Sequence, residues 1–571
     1  VASTTTSMGN KISMCTRPGD QDEPIDGMAV HGYLDGPVGE GMPPPKLSGS
    51  TRKASSDMSY HSDVLAQKPA LVSGLVHAHH IDSFDAKYDL STSKVLGQGT
   101  CGYVCTVKKR ETGDLFALKE ISLNSVGGSM SSLRKEIQLQ KKLDHPNICK
   151  IIESFEDRQN GRMYIVMELC TGGSLVSRMK THRQGYGEQA AATLVEKMLS
   201  AVLYCHHHGV VHRDIKLDNM IYEDEREDAE LKLIDFGFAR HVRPGSEVMH
   251  DQLGTPSYMA PELWTERETP YDSSVDMWAI GVVTYMLLSG QRPFHHQDKK
   301  EKTRMIRQDP VRFPDAHWSH LSAEAKDFCT ALMKKNPKDR LSASEAVKHP
   351  WIQQQSKVHQ GDDASIALDK HQEVVESLVN FAEADDLKKL ALEVIAFSTP
   401  PSKLEELRKL FQSMDTDDSG TLSFEEFKSA MAQHPEISLE RLHQLFNKMD
   451  VSHNGEVDYT EFLAATVSSQ TNMVARASIK SAFTALDRDG DGYITRMDLH
   501  SALEGVEEAS LEKYLAHADP KGRVSFQAFK TTMMQQLTSP EGKVAEGHLA
   551  RLSDAAPVSP PVKSGKKPVF D

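Results

Sequence analysis

Several residues of this chain have the types and spacing needed for chemistry on phosphate groups. A glycine-rich stretch with the pattern G-x-G-x-x-G-x-V contains Gly97, Gly99, Gly102 and Val104. Glycines let a backbone approach phosphate oxygens closely, because no Cβ stands between them. Further along, His212-Arg213-Asp214 and Asp235-Phe236-Gly237 have the order expected of a proton acceptor and a Mg²⁺ ligand. The chemistry that these residues indicate is phosphoryl transfer from ATP.

The other members of such a site follow in the expected order. Ala117 and Lys119 lie on a predicted strand, where the lysine can hold the ATP phosphates, and Glu136 on the next predicted helix can pair with it. Asp214 is predicted to accept the proton of a substrate hydroxyl, while Asn219 and Asp235 are predicted to bind Mg²⁺. A dinucleotide site is disfavoured, because such a site needs a helix directly after the glycines and this segment continues as a strand.

The second set of residues forms a loop that recurs along the chain. A calcium loop of the EF-hand type needs oxygen ligands at positions 1, 3, 5, 7 and 12 and glycine at position 6. The first loop offers Asp415, Asp417, Ser419, the Thr421 carbonyl and Glu426. The second offers Asp450, Ser452, Asn454, the Glu456 carbonyl and Glu461. The third offers Asp487, Asp489, Asp491, the Tyr493 carbonyl and Asp498. We expect all three to bind Ca²⁺.

Two loops depart from the ideal pattern. Asp498 is one methylene shorter than the usual Glu, so we expect weaker calcium binding and a greater tolerance of Mg²⁺ in the third loop. In a fourth candidate, which begins at His517, Lys521 puts a cation at a ligand position and Ala528 offers no oxygen. The fourth loop is predicted to pair with the third and to hold no ion. Leu422, Val457 and Ile494 are predicted to form the short strands that join paired loops.

The predicted helices and strands that position the site residues divide the chain of 571 residues into five segments. They are a disordered N-terminal extension (1–83), a catalytic domain of alternating strands and helices (84–352), junction helices (353–402), an all-α domain of four EF-hands with the fourth degenerate (403–536) and a disordered tail (537–571). The predicted fold class is a two-lobed α+β domain followed by an all-α, calmodulin-like EF-hand domain.

Three further stretches carry structural predictions. An apolar stripe from Val374 to Ile395 predicts a junction helix over residues 366–396, which must bury itself, and a groove opened by calcium is a suitable partner. Met277 to Leu288 is too short to span a membrane and is predicted to be a buried core helix. The acidic run from Glu223 to Glu230 is predicted to be a solvated surface insertion.

Glu262 is expected to pair with Arg340 in the lower lobe.

Composition limits the partners. The net charge of −15 argues against nucleic-acid binding, and seven scattered cysteines indicate reduced thiols in a cytoplasmic protein. Met8-Gly9-Asn10-Lys11-Ile12-Ser13 matches an N-myristoylation pattern, and Cys15 is a candidate for palmitoylation. If Gly9 becomes the N-terminus, peripheral membrane association is expected. We expect a monomer whose partners are protein substrates and ATP.

Residues 88 to 352 resemble a serine/threonine protein kinase of the calcium/calmodulin-dependent group, and residues 84 to 536 resemble a calcium-dependent protein kinase of plants and protists. The resemblance implies that Lys216 favours Ser/Thr acceptors, that Met167 is the gatekeeper, and that the Glu168 carbonyl and the Cys170 amide bind adenine. Many relatives carry an acid where this chain has Ser174, which puts a preference for basic substrates in doubt. The resemblance also implies inhibition by the junction and its relief by calcium.

Two alternatives remain open from the sequence. A pseudokinase scaffold would report calcium by binding partners, although the catalytic residues are all present. A kinase that also recruits free calmodulin through its junction is the second alternative. The leading prediction is a calcium-activated protein kinase with ATP, Mg²⁺ and Ca²⁺ as cofactors.

Overall fold

The computed structural model describes residues 78–80, 84–99, 102–122, 130–242, 249, 253–264, 271–356, 371–435, 437–467, 476–503 and 508–534. The predictions for Gly9, Cys15 and the C-terminal tail lie outside these ranges. In the part of the chain described, no helix is both long and apolar enough to cross a membrane. The five cysteines within these ranges are not joined in disulfides.

A sheet of seven strands forms the upper lobe. Its strands are β1 (Ala78–His80), β2 (Tyr88–Asp89), β3 (Val95–Gly99), β4 (Gly102–Lys109), β5 (Leu115–Ser122), β6 (Ile151–Asp157) and β7 (Arg162–Met167). The order is β1-β6-β7-β5-β4-β2, and β3 also pairs with β4. All neighbours are antiparallel except β1, which runs parallel to β6 at the edge. This edge strand, within the predicted N-terminal extension, was not expected from the sequence.

In the described part of the lower lobe, helices predominate and four short strands form two small sheets. The strands are β8 (Val210–Val211), β9 (Met220–Tyr222), β10 (Leu231–Leu233) and β11 (Arg240–His241). The helices of the two lobes are α1 (Phe84–Lys87), α2 (Met130–Gln140), α3 (Leu175–Met179), α4 (Glu188–His207), α5 (Ser274–Ser289), α6 (Lys299–Gln308), α7 (Asp315–Trp318), α8 (Ala323–Leu332), α9 (Ala343–Val347) and α10 (Pro350–Ser356). Short 3₁₀ turns cover Leu217–Asn219, Pro261–Trp264 and Pro337–Asp339. The prediction of a core helix is confirmed, because every residue of α5 after Ser274 is buried.

The EF-hand region follows two junction helices. They are α11 (His371–Glu383) and α12 (Asp386–Ser398), and a 3₁₀ turn (Pro401–Lys403) leads to the hands. The hands contain α13 (Glu405–Met414), β12 (Thr421–Leu422), α14 (Phe424–Ala430), α15 (Leu439–Met449), β13 (Val457–Asp458), α16 (Tyr459–Thr466), α17 (Arg476–Leu486), β14 (Tyr493–Ile494), α18 (Arg496–Ala502), β15 (Val524–Ser525) and α19 (Phe526–Met534). Turns of 3₁₀ type cover Met431–Gln433 and Glu508–Leu515.

The helix-like stretch predicted over residues 366–396 is divided into two helices within the described part of the junction. The break falls at Ala384 and Asp385, and Asp385 caps α12 by accepting a hydrogen bond from the Lys388 amide. An aspartate that satisfies a free backbone donor favours a helix start, and this signal was not used in the sequence prediction. Residues 366–370 lie outside the described ranges. The apolar stripe itself is buried on both helices.

Two apolar cores organise the molecule. One fills the lower lobe around α4 and α5. The other begins in the upper lobe with Ile137 and Ile165, continues through the junction helices and ends inside the EF-hand domain. Because this second core is continuous, the catalytic domain and the calcium-binding domain share buried apolar surface, which is the dominant stabilising contribution in folding and association.

The pairing of Glu262 with Arg340 is confirmed. Arg340 Nη1 and Nη2 donate to the two carboxylate oxygens of Glu262 at 2.9 and 3.1 Å, and both side chains are buried. Arg340→Ala would leave this carboxylate without its guanidinium, which costs about 3–5 kcal/mol at a buried pair. We expect a clearly lower Tm by calorimetry.

The matched control is Arg304→Ala. Arg304 makes a comparable fork with Glu301 and Asp309, but on the exposed surface of α6. Exposed pairs contribute little, because water screens them. An equal loss of Tm in both variants would contradict the importance of the buried pair.

Candidate active site and calcium sites

The catalytic loop gathers the predicted phosphoryl-transfer residues around one carboxylate. Asp214 is buried, and its Oδ2 accepts hydrogen bonds from Lys216 Nζ and, at 3.1 Å, from Asn219 Nδ2. Its Oδ1 accepts from the backbone N and Oγ1 of Thr255 at 3.0 and 2.7 Å. A carboxylate held in this way has a fixed orientation, which suits a group that must meet a substrate hydroxyl.

Lys119, Glu136 and Asp235 come together where the two lobes meet. Lys119 Nζ lies 3.4 Å from Asp235 Oδ1. Burial pushes the pKa of Asp235 up, but the charges of Lys119 and His212 outweigh it, so the pKa is lowered. Burial raises the pKa of Glu136, and the Lys119 charge opposes the rise. Asn219 and Asp235 are the residues that would hold Mg²⁺, which would neutralise charge on the phosphates.

Neighbouring strands place the predicted nucleotide contacts in register. Val104 pairs with Lys119 across β4 and β5, and Ala117 pairs with Met167 across β5 and β7. At Gly102 an added Cβ would lie 1.7 Å from the carbonyl oxygen of Glu120, so only glycine fits this position. Glycine at position 102 is thus needed because the β4 and β5 backbones approach closely there, and not only because the turn must approach the phosphates.

The link between the lobes is fixed by a buried carboxylate. Glu168 accepts hydrogen bonds from the Lys150 amide at 2.9 Å and from Lys232 Nζ at 3.1 Å. Cys170 is also buried, and a hydrogen bond with Cys149, with burial, raises the pKa of its thiol. Both side chains therefore point into the protein, which leaves the backbone of the link for the adenine ring.

Asp276 positions the catalytic loop and was missed from the sequence. Its carboxylate accepts from the amides of His212 and Arg213 at 2.9 and 2.8 Å and lies 2.9 Å from His206 Nε2. Arg213 has a φ of 68°, a conformation that is costly for a side chain larger than glycine, so its neighbours must hold it in place. The available signal was a lone carboxylate within the otherwise apolar helix α5.

The three predicted calcium loops share one set of backbone contacts. The first acid of each loop, Asp415, Asp450 or Asp487, accepts from the amide of the sixth-position glycine at 2.8, 3.0 and 2.9 Å. The last acid accepts from the ninth-position amide, at 3.0 Å for Glu426, 2.9 Å for Glu461 and 2.8 Å for Asp498. In each loop the first and last predicted ligands are therefore held by backbone amides of that same loop.

The loops pair as predicted. Leu422 faces Val457 in the strand pair β12–β13, and Ile494 faces Val524 in β14–β15. The degenerate fourth hand thus supports the third. Its Asp519 forms a 3.1 Å ion pair with Arg523, so the arginine already provides a positive charge to this carboxylate. The prediction that the fourth loop holds no ion remains a prediction.

The residues present fit a divalent cation. Carboxylate oxygens of Asp415, Asp417 and Glu426 can lie within 4.8 Å of one another, and so can those of Asp487, Asp489 and Asp491. Burial, with the nearby carboxylates of Asp418 and Glu426, raises the pKa of Asp415 to about 8. Crowded carboxylates are stabilised when a metal ion replaces their repulsion with attraction.

Loop three provides a direct test of ligand length. Asp498 closes the loop through bonds to the Arg488 and Thr495 amides at 2.9 and 2.8 Å. Asp498→Glu extends the carboxylate toward bidentate coordination, so calcium affinity at this loop should rise about tenfold. Calorimetric titration of calcium into the full chain, with and without Mg²⁺, measures the change.

The matched control for this substitution is Glu426→Asp, which should weaken loop one for the same reason. Equal calcium titrations for the wild type and Asp498→Glu would show that the missing methylene does not limit affinity.

The prediction of a solvated acidic run is wrong at both of its ends. Glu223 and Glu230 are buried, whereas the residues from 225 to 228 are exposed. Arg408, which is 2% exposed on α13 of the first hand, donates to Glu223 Oε2, and its Nε lies 3.9 Å from Glu230. Lys197 also pairs with Glu230, at 3.0 Å. The two glutamates belong to the interface between the domains, and sequence alone offered no sign of the partner.

Comparisons with known proteins agree with both halves. The protein kinase domain model matches residues 90–352, the EF-hand domain pair model matches 381–467 and the EF-hand domain model matches 478–510. Calcium-dependent protein kinase 21 of Arabidopsis thaliana is 33% identical over 81% of this chain and 86% of its own length. Calcium-dependent protein kinase 11 of Oryza sativa subsp. japonica is 32% identical, with 84% and 82% coverage.

The chain belongs to the calcium-dependent protein kinases. It is a calcium-activated serine/threonine protein kinase that uses ATP and Mg²⁺ and binds Ca²⁺ through its EF-hands. The predicted family, fold class, enzyme class and cofactors are confirmed. The pseudokinase alternative is disfavoured, because the site geometry and the family both indicate an enzyme. The roles assigned to individual site residues remain predictions.

Proposed function

We propose that the junction restrains this kinase without calcium, and that calcium-loaded hands enclose the junction and dock on the kinase domain in the arrangement described above. The second hand supports this coupling. Thr460 donates its amide and its hydroxyl to the Asp144 carboxylate at 2.6 and 2.8 Å, and all of these groups are buried. Thr460 lies between the loop residues Asp458 and Glu461, so a calcium loop contacts the kinase domain directly.

The position of Asp144 gives this contact a route to the active site. Asp144 follows α2, the helix that carries Glu136, and Lys150 Nζ bridges Asp144 and Thr460 at 3.2 and 3.1 Å. Lys150 also donates its amide to Glu168 in the link between the lobes. Closing the second calcium loop therefore acts on residues next to both the lysine-pairing helix and the adenine pocket.

The first hand adds a close backbone contact. Ser200 Oγ donates to the carbonyl oxygen of Asp418 at 3.2 Å. At Gly420, an added Cβ would lie 2.2 Å from the His145 ring, so this glycine serves the interface as well as the turn of the calcium loop. Both hands of the first pair thus contact the kinase domain through their loops.

The junction has an enclosed position in this arrangement. Leu387 to Phe397 on α12 are all buried, and α12 packs against α16, α17 and α19. Burying two lysines and a glutamate costs free energy unless partners compensate for it. The helix thus requires a well-formed groove. Since its own hands enclose it, recruitment of free calmodulin is not needed to bury the stripe.

The experiment is kinase activity against calcium concentration for the wild type and Thr460→Val. Loss of the hydroxyl removes one donor to the buried Asp144 carboxylate and the acceptor of the Lys150 ammonium, so the half-activating calcium concentration should rise about tenfold. Thr460→Ser keeps the donor and is the control. Unchanged calcium curves in Thr460→Val would contradict docking as the coupling step.

Truncation after Ile352 tests the restraint separately. We expect the truncated kinase to be active in EGTA, because the junction is gone. A truncated kinase that stays silent would argue against restraint by the junction and would indicate that docked hands are needed for turnover.

We also propose that the protein is cytoplasmic and monomeric, and that it associates with membranes when Gly9 is myristoylated and Cys15 is palmitoylated. Two lipid chains are needed for stable anchoring, and the sequence offers a candidate position for each. Mass spectrometry of the native N-terminus tests the modification, and light scattering of the purified chain tests the monomer. An unmodified residue upstream of Met8 would contradict acylation at Gly9.

A further inference from the structure

The segment from Gly254 to Met259 borders the place where the substrate hydroxyl must lie. Thr255 Oγ1 donates to Asp214 and accepts from Lys216 Nζ at 3.1 Å, so this segment is attached to the proton acceptor. Two residues further, Ser257 Oγ accepts a 2.7 Å hydrogen bond from Lys302 Nζ. Lys302 lies on α6, which packs against the turn that follows this segment. A substrate side chain next to the acceptor therefore lies close to Lys302.

Lys302 and Arg292 form a cationic pair without a matching carboxylate among the described residues around them. Both side chains are half-buried, and Arg292 Nε is buried without a hydrogen-bond partner in the described part of the chain. Burial and the Arg292 charge lower the pKa of Lys302. Elsewhere on α6, Arg304 pairs with two carboxylates. A half-buried cation without a counter-charge is costly unless a ligand supplies one.

The exposed start of α6 carries charges of both signs. Lys299 and Lys300 follow Asp298, whose carboxylate caps the helix by accepting from the Lys300 amide, and Glu301 pairs with Arg304. These two carboxylates therefore have partners of their own, and neither forms an ion pair with Lys302 or Arg292 in the described part of the chain. Ser174 carries no charge and caps α3 by accepting a hydrogen bond from the Ser177 amide.

Asp218, in the catalytic loop, is a carboxylate that competes with this assignment. It is exposed, and its charge, after burial, contributes to raising the pKa of Tyr258 to about 12, whereas Arg292 opposes the rise. Tyr258 therefore lies between an acid and a base. A substrate arginine could use Asp218, and a substrate carboxylate could use Arg292 with Lys302. The half-buried pair favours the carboxylate, because charge interactions are stronger where water is excluded.

We propose that Lys302 and Arg292 bind an aspartate or glutamate side chain of the protein substrate near the acceptor hydroxyl, so that this kinase prefers acidic sequences around its Ser/Thr. The proposal rests on the calcium-activated kinase activity described above. It names the substrate class that this activity serves.

The first experiment measures kcat/KM in saturating calcium for peptides with one serine in an alanine background. Glutamate, arginine or alanine is placed at each of the four positions on either side of the serine. Glutamate at one or more positions should raise kcat/KM about tenfold over alanine, mainly through KM, and arginine at the same positions should lower it. A preference for arginine, or equal rates for all peptides, would overturn the proposal.

The second experiment assigns the preference to the two residues. Lys302→Gln and Arg292→Gln should each lower the ratio of kcat/KM for the glutamate peptide to kcat/KM for the alanine peptide from about ten to about one. Lys302→Arg should retain the preference. Lys300→Gln, an exposed change on the same helix, controls for general charge effects.

The outcomes separate this proposal from the kinase activity itself. An unchanged glutamate preference in Lys302→Gln and Arg292→Gln would overturn the assignment. Activity on the alanine peptide shows that each variant is folded and competent. A wild type that phosphorylates none of the peptides in calcium, although it phosphorylates itself or a general protein substrate, would overturn the peptide specificity and leave the activity standing.

Discussion

Glu461→Gln is expected to abolish activation at calcium concentrations that saturate the wild type, with turnover there staying close to the level in EGTA. Glu461 is 2% exposed, and its carboxylate joins the Ser452 and Asp458 amides at 2.7 and 2.9 Å, so it closes the second loop. A glutamine amide lacks one carboxylate oxygen and the charge that calcium needs at this position. Thr460 is the preceding residue, so an open loop also misplaces the contact with Asp144.

The size of the effect follows from coupling. Loss of bidentate coordination should raise the half-activating calcium concentration at least about a hundredfold, or about 2.7 kcal/mol, which removes much of the driving force of a two-state switch set by a few kcal/mol. The measurement is peptide phosphorylation across a calcium titration. Glu426→Gln is the matched variant in the first loop, and it should produce a smaller increase because loop two still closes on Asp144.

Stability in EGTA is the control for folding. Burial and the Asp458 carboxylate raise the pKa of Glu461 well above its usual range, so removing its charge relieves a burial cost when metal is absent. The glutamine NH2 loses one of the two backbone hydrogen bonds, which offsets this gain, so the Tm of Glu461→Gln in EGTA should stay close to wild type. The rise in Tm on adding calcium should be smaller, because one fewer ion binds the native state. Full activation of Glu461→Gln by calcium would show that the second loop is not the coupling site.

Arg408→Met is expected to disrupt docking of the hands on the kinase domain. The guanidinium is buried against Glu223 and Glu230, with both glutamate side chains less than one tenth exposed. Removal leaves two buried carboxylates with one cation fewer, and breaking a buried pair in this way costs about 3–5 kcal/mol. Undocking relieves this cost by returning Glu223 to water. The undocked population should therefore rise more than about a hundredfold.

Two measurements follow from this expectation. The half-activating calcium concentration should increase, and kcat of the truncated kinase should not respond to Glu223→Gln. The double variant Arg408→Met with Glu223→Gln should recover part of the calcium response, because it removes the orphaned charge. Arg408→Lys keeps a charge but lacks the planar fork, so it should be intermediate. A wild-type calcium curve in Arg408→Met would contradict a role for this cluster in docking.

Sequence patterns predicted the catalytic and calcium-binding residues because their roles depend on side-chain type at short spacing. Asp214, Lys216 and Asn219 lie within a few residues of one another, and the backbone of one loop brings them together. The same holds for Asp415 and Glu426, whose positions are set by one turn. A site formed by the residues of one loop can be predicted from sequence without knowing the rest of the fold.

Residues that act through distant partners were missed or misjudged. Asp276 looked like one acid in an apolar helix, and Glu223 looked like part of a solvated run. Each is buried because a separate segment supplies donors, namely the catalytic-loop amides for Asp276 and Arg408 for Glu223. The sequence shows that burying such a carboxylate would cost free energy. It does not show which distant residue donates the hydrogen bonds that offset this cost.

By itself, the amino-acid sequence determined the two chemistries of this protein and the order of its domains. The catalytic loop and each calcium loop are built from residues close together in sequence, so their ligands can be identified from short motifs. Only the tertiary structure decided where the domains meet. Thr460 and Asp144 are 316 residues apart, and Arg408 and Glu223 are 185 apart. Residues so far apart in sequence pair because the two domain surfaces fit together and exclude water from both side chains. A local sequence pattern contains no information about this fit.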